Sequence, residues 1–222
     1  MRKKPLANNE YYHIYNRGVD KREVFSDDRD YFRFLLSINL LNDRKDGMMI
    51  KWRDYQRCVK NANVDDFLKL NFRNREYLVD IISYCLMPNH YHFVLKQNVE
   101  KGIERFLQKL GTSYTKYFNK KYHRNGSLFQ GTFKSSHISS TGLLLRMAVY
   151  ASCNSEIHKV DIARDYPWCS FAAHAGRQKN DIINNSMFIG HFREGKDFEE
   201  YAKENILDFQ ERKHDQEIFL DS

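Results

Sequence analysis

The chain has 222 residues, 41% hydrophobic, 29% charged and 14% aromatic, a composition that suits one folded domain with a real core and excludes a disordered polymer. No apolar run approaches the ~18 residues of a membrane span; the longest, residues 81–87 and 143–151, are short or interrupted by Arg146, so no membrane partner is expected. The start, Met-Arg-Lys-Lys-Pro-Leu-Ala, lacks a signal peptide's apolar stretch, and Cys58, Cys85, Cys153 and Cys169 are scattered without a Cys-x-x-Cys pair; both point to a reduced, cytoplasmic protein.

In chain order, residues 10–19 are β-rich and end in a glycine turn, which predicts a first strand. Asp27 or Asp28 can cap a helix whose apolar positions Tyr31, Phe34, Leu35 and Ile38 keep the helical period. Residues 42–76 are polar and irregular, and read as an insertion with a short helix over 64–70. Residues 77–87 predict a buried strand, Pro88-Asn89 a turn, and residues 90–97 its partner strand. From 100 to 122, Ile103, Phe106, Leu107, Leu110, Tyr114, Tyr117 and Phe118 recur at three and four, an amphipathic helix. A break at 124–127 precedes a strand over 128–138. Ser140 or Thr141 then caps a helix running to about Asn154. Strand, helix, strand pair, helix, strand, helix predicts an α+β fold: a ferredoxin-like or RRM-like antiparallel sheet with packed helices. The main domain is expected over 1–175, and 176–222 as an acidic accessory segment of one or two helices.

The net charge is +7 and unevenly placed. Between residues 101 and 135 lie Lys101, Arg105, Lys109, Lys116, Lys120, Lys121, Arg124 and Lys134 against one acid, Glu104; residues 195–222 carry four bases and nine acids. A focused basic segment interleaved with aromatics is the footprint of a nucleic-acid binder. Arg105, Lys109, Lys116, Lys120, Lys121, Arg124 and Lys134 are the candidate phosphate contacts, with Arg2-Lys3-Lys4 as a further arm and Tyr12, Tyr15 or Phe129 as candidate base-stacking rings.

Two spacings carry chemistry. His90 and His92 are two apart on a strand, so both imidazoles leave one sheet face while Tyr91, Phe93 and Leu95 take the other. Paired neutral imidazoles are half of a divalent-metal site. Tyr150 and Asn154 are four apart and share a helix face. No Gly-rich phosphate loop or Walker-type lysine is present, so no nucleotide cofactor is expected.

The run Leu-Met-Pro-Asn-His-Tyr-His-Phe-Val-Leu (86–95) resembles the histidine–hydrophobic–histidine (HUH) signature of single-tyrosine transposases, in particular the REP-associated tyrosine transposase branch of the insertion-sequence transposases. Further segments match in order: Tyr-His-Ile-Tyr-Asn-Arg-Gly (12–18), Tyr-Thr-Lys-Tyr-Phe-Asn (114–119), Gly-Ser-Leu-Phe-Gln-Gly-Thr-Phe-Lys-Ser (126–135), Tyr-Ala-Ser-Cys-Asn (150–154) and Asp-Tyr-Pro-Trp-Cys-Ser-Phe (165–171). The resemblance spans about residues 8–175. It departs after Asn154, where Ser155-Glu156 replace the family's Pro-Val, and in residues 42–76, which are longer than expected.

The resemblance implies Tyr150 as nucleophile and His90, His92 and Asn154 as ligands of Mg²⁺ or Mn²⁺. It further implies nicking and strand transfer on single-stranded DNA beside a hairpin, through a 5′-phosphotyrosine, by a monomer or a homodimer. The alternative is a non-catalytic relative that binds hairpins without cutting them. A two-histidine phosphoesterase would need two His-x-Ser/Thr motifs, which this chain does not have.

Overall fold

The computed structural model describes residues 5–72, 74–188 and 190–215; the Arg2-Lys3-Lys4 arm and residues 216–222 lie outside the described residues. In chain order the elements are β1 (Tyr11–Arg17), α1 (Asp28–Leu41), α2 (Met48–Cys58), α3 (Val64–Asn71), β2 (Val79–Met87), β3 (His90–Gln97), α4 (Gly102–Lys121), β4 (Lys134–Ile138), α5 (Thr141–Ser152), α6 (Asn154–Ile157), α7 (Phe171–His174) and α8 (Gly195–Asp215). Among the described residues, no helix is long and apolar enough to cross a membrane.

The four strands form one sheet in the order β2-β3-β1-β4, with every neighbouring pair antiparallel. Strand–helix–strand–strand–helix–strand connectivity in that order is the ferredoxin-like α+β arrangement. Both faces of the sheet are covered. Tyr12 and Ile14 of β1 and Tyr91, Phe93 and Leu95 of β3 pack with Phe34 and Ile38 of α1 and Ile103, Phe106, Leu110 and Tyr114 of α4. Val94 of β3, with Ile82, Cys85 and Met87 of β2, packs instead against Leu144, Ala148 and Val149 of α5 and Phe198, Ala202 and Ile206 of α8. Over residues 90–95 of β3 both faces are therefore apolar except where His90 and His92 stand.

Local chemistry fixes the element ends. The Asp27 carboxylate accepts from the Asp30 amide and caps α1; the Ser140 hydroxyl accepts from the Leu143 amide and caps α5. Gly18 is tightly enclosed, since a Cβ there would meet the Arg22 carbonyl at 2.3 Å; only glycine lets the chain leave β1 on this path. Residues 166–170 lie along the outer side of β2. The Leu86 amide donates to the Trp168 carbonyl at 2.9 Å and the Ser170 amide to the Tyr84 carbonyl at 3.0 Å, so that sheet edge is closed to further strands.

The structure corrects three expectations. The strand predicted over 128–138 is confined to Lys134–Ile138, because Gly131 adopts φ +58 and turns the chain after Leu128 and Phe129 have entered the α1/α4 core. The insertion over 42–76 holds two helices, not one. Met48 and Trp52 of α2 join Leu40, Phe67 and Phe72 in a small separate core. The helix carrying Tyr150 stops at Ser152; Cys153, at φ −104 and ψ 14, separates it from α6, which begins with Asn154.

A buried carboxylate ties α1 to α4. Asp30 is fully buried and accepts from the Ser26 amide, the Tyr117 and Tyr122 hydroxyls and the Lys121 ammonium, all at 2.7–2.9 Å. Removing it leaves the Tyr117 and Tyr122 hydroxyls and the Ser26 amide without this acceptor and Lys121 with Asp27 alone, so Asp30→Ala is expected to destabilise the fold by about 3 kcal/mol, read from urea unfolding midpoints.

Candidate active site

His90 and His92 leave the α5 face of β3, as the two-residue period requires. Their rings are 5.0 Å apart between centroids and nearly perpendicular at 88°, and both are buried. Two further imidazoles, absent from the expected set, stand beside them. His13 reaches His92 from β1, Nε2 to Nδ1 at 2.9 Å, and His158 lies 5.8 Å from His90. His13 sits one strand over, opposite Val94; the signal for it is a lone histidine on the opposite parity from Tyr12 and Ile14, legible only once β1 is paired to β3.

His90 lies between two side-chain oxygens. Nδ1 is 2.5 Å from Asn89 Oδ1 and Nε2 is 3.2 Å from Asn154 Oδ1. A neutral imidazole has one N–H. With the shorter contact as the donated bond, Nδ1–H donates to Asn89 and the Nε2 lone pair faces the Asn154 oxygen. Two acceptors so close are favourable only with a second proton or a cation between them. Asn154 is fully buried, and its Nδ2 has no hydrogen-bond partner, although turning the amide over would offer that donor to His90. The oxygen-inward amide therefore suits a metal better than it suits an empty hydrogen-bonded pocket. The 3.2 Å spacing matches the ~3 Å between adjacent ligands of an octahedral ion with bonds of ~2.1 Å.

Among the described residues, no group of three or more His, Cys, Asp or Glu side chains is arranged to hold a metal ion. The donors here are two imidazoles and one amide oxygen, all uncharged. Such a set fits a divalent ion whose remaining positions are filled by anionic phosphate oxygens and water.

Tyr150 comes to the same place from α5. Its ring stands edge-on to His92 at 5.5 Å and to His13 at 5.6 Å, with interplanar angles of 89° and 90°. It is 8% exposed, and Phe209 of α8 covers it at 5.0 Å. Tyr15 lies nearly parallel to both histidines, 5.5 Å from His13 and 5.7 Å from His92. The structure thus brings Tyr150, His90, His92 and Asn154 together from three elements, and adds His13, Tyr15 and Asn89.

The basic residues divide differently. Lys134 of β4 pairs with Tyr15 in the sheet and places its ammonium 5.5 Å from the Tyr15 ring, on the histidine side. Arg105, Lys109, Lys116, Lys120 and Lys121 ride on α4, which covers the opposite face of the sheet. Lys109 is tied to Asp46 at 2.7 Å and Lys121 to Asp27 and Asp30 at 2.6 and 2.7 Å, so these two charges are engaged within the fold. Arg124 bonds Asn119 and lies over Phe118. Lys116, Lys120 and Lys134 are exposed. Phe129 is buried in the α1/α4 core, and Tyr12, also buried, accepts from the Ala7 amide through its hydroxyl.

Burial sets the protonation of the inner histidines. It pushes His13 down to about 4 and, with the nearby His90, His13 and His158, holds His92 well below the usual imidazole value. His174, buried beside Phe188, is also lowered to about 4 by burial. The unfolded chain takes up these protons near pH 6.5, whereas folded His13 and His174 refuse theirs until about pH 4 and His92 is held down in the same direction, so stability rises with pH across that window and is lost on acidification. The urea midpoint of the metal-free protein is expected to fall steadily from pH 7 to pH 5, each such imidazole contributing up to about 1.4 kcal/mol per pH unit.

The family model of the IS200-like transposases matches residues 48–145. That stretch is a little under half of the chain. It opens at α2, takes in β2, the His90–His92 strand, α4 and β4, and stops within α5, before Tyr150 and Asn154. No curated protein matches the chain. A solved REP-associated tyrosine transposase bound to a REP hairpin is similar with a TM-score of 0.49 and 12% identity, the alignment covering 84% of this chain and 94% of that one. Over residues 48–145, which include the paired histidines, this chain is similar to the IS200-like transposases.

Proposed function

We propose that the protein nicks and rejoins single-stranded DNA beside a hairpin, with Tyr150 as the nucleophile and His90, His92 and Asn154 as ligands of a divalent ion. The observation that carries this reading is a convergence: the Tyr150 ring stands 5.5 Å from the His92 ring, while the Nε2 of His90 meets the Asn154 oxygen at 3.2 Å. A phenol, two imidazoles and an inward-turned amide oxygen are what phosphoryl transfer to tyrosine needs in one place.

The chemistry follows from the residues. The Tyr150 hydroxyl attacks the scissile phosphorus, its proton passing to water, and the bond from phosphorus to the 3′ oxygen breaks. The 5′ side of the DNA is then esterified to Tyr150 and a 3′ hydroxyl is released. A 3′ hydroxyl attacking that ester reverses the step on the same or another strand, so the phosphodiester bond is conserved and no nucleotide cofactor is consumed. When bound, Mg²⁺ or Mn²⁺ supplies Lewis-acid stabilisation of the phosphoryl oxygens. Edge-on packing against His13 and His92 fixes the plane of the Tyr150 ring, and the depth of the site favours a flexible single strand over a stiff duplex. Lys134, above Tyr15, is the basic residue best placed to hold the strand entering from β4; Lys116 and Lys120 offer phosphate contacts on the other side of the sheet. The four unpaired cysteines, three of them buried, accord with work in the cytoplasm.

Incubated with labelled hairpin-flanked single-stranded DNA and Mn²⁺, the wild-type protein is expected to form a covalent, protease-sensitive adduct that Tyr150→Phe abolishes. His90→Ala should abolish the adduct while leaving hairpin binding within a few-fold, measured by gel shift. Unchanged DNA binding with no adduct from the wild type would instead favour the non-catalytic hairpin binder. Lys134→Ala should weaken single-strand binding and lower the slope of log affinity against log salt by about 0.7, one phosphate contact.

A further inference from the structure

The contact between His13 and His92 has a geometry that packing alone does not require. The two rings are coplanar within 1°, with centroids 5.1 Å apart and Nε2 of His13 2.9 Å from Nδ1 of His92. The centroid distance exceeds the nitrogen–nitrogen distance by about one ring width. The rings therefore lie edge to edge in a common plane, joined by a nearly straight hydrogen bond, and are not stacked face to face. Both are buried, at 1% exposure each, and the edge of Tyr150 is perpendicular to their shared plane.

One proton serves this bond, and its position decides which nitrogen of His92 is left for a ligand. Were it on His13, His92 would accept through Nδ1 and carry its own proton on Nε2, closing that nitrogen to a metal. With the proton on His92 Nδ1, His13 accepts and Nε2 of His92 presents a lone pair. We infer that His13 is a positioning residue that accepts the Nδ1 proton of His92, fixing its tautomer and ring plane so that Nε2 faces the candidate metal site. The inference rests on the proposed ligand role of His92 and extends it to a residue on another strand. It also makes the two ligands alike, for His90 likewise directs Nδ1 to a side-chain partner, Asn89. Hydrogen-bonded partners of this kind set the orientation of metal-ligating imidazoles, and their loss commonly costs 10- to 100-fold in metal affinity.

The test compares wild type, His13→Gln and His13→Phe. Glutamine can place an acceptor oxygen near the position of Nε2; phenylalanine keeps an aromatic ring and removes the acceptor. By ¹⁵N NMR of metal-free, histidine-labelled protein, His92 should carry its proton on Nδ1 in wild type and His13→Gln, and shift toward the Nε2–H form in His13→Phe. Calorimetric titration with Mn²⁺ should show affinity about 10- to 100-fold weaker in His13→Phe and largely restored in His13→Gln. An Nε2–H tautomer for His92 in wild type, or Mn²⁺ affinity unchanged by His13→Phe, overturns the role of His13. Absence of Mn²⁺ binding to wild type, together with the expected tautomer shift, would overturn the metal-dependent reading and leave the positioning role standing. The wild-type tautomer decides the inference even if His13→Phe fails to fold.

Discussion

The antiparallel register between β1 and β3 is the constraint on which the rest depends. Because Tyr15 lies opposite His92 and Ile14 opposite Phe93, every apolar residue of one parity enters the α1/α4 core and every histidine of the other parity enters the α5 side. A slip of one residue would turn His90 and His92 into the interior and expel Tyr91, Phe93 and Leu95 toward α5. Several kcal/mol of aromatic burial thereby guard the placement of groups that contribute little burial energy themselves. The core specifies the chemistry by holding one register.

The same two-sided sheet separates charge from reactivity. Helix α4 holds most of the basic segment because its apolar stripe is needed on the first face, and its cations follow it there. Two of them, Lys109 and Lys121, are drawn inward to bind the insertion and α1 together. On the histidine face Lys134 reaches across Tyr15, and Arg17 of β1 stands opposite His90. A ligand that touched both groups of charges would have to pass around the sheet.

Much of this was legible in the sequence, for definite reasons. The alternation of 90–95 and the three-and-four spacing of 103–118 are strong periodic signals, and both elements formed where expected. The convergence of Tyr150 with the histidines is not a periodic property; motif resemblance alone suggested it. The partners His13 and Asn89 escaped notice because each needs a tertiary neighbour to acquire meaning. Helix α2 was missed although Met48, Trp52 and Tyr55 keep helical spacing, since a mostly polar segment with a small separate core gives a faint pattern. The shortened β4 reflects Gly131, whose left-handed backbone outweighs the β-rich residues before it.

The break at Cys153 has a mechanical consequence. Tyr150 lies in the last turn of α5 and Asn154 opens α6, so the two proposed site residues belong to separate helices joined at Cys153. The Tyr150 ring is held between His13, His92 and Phe209, while the Asn154 oxygen meets His90. Two separate helix axes thus orient the phenol and the amide, whereas an unbroken helix through both residues would hold them to a single one.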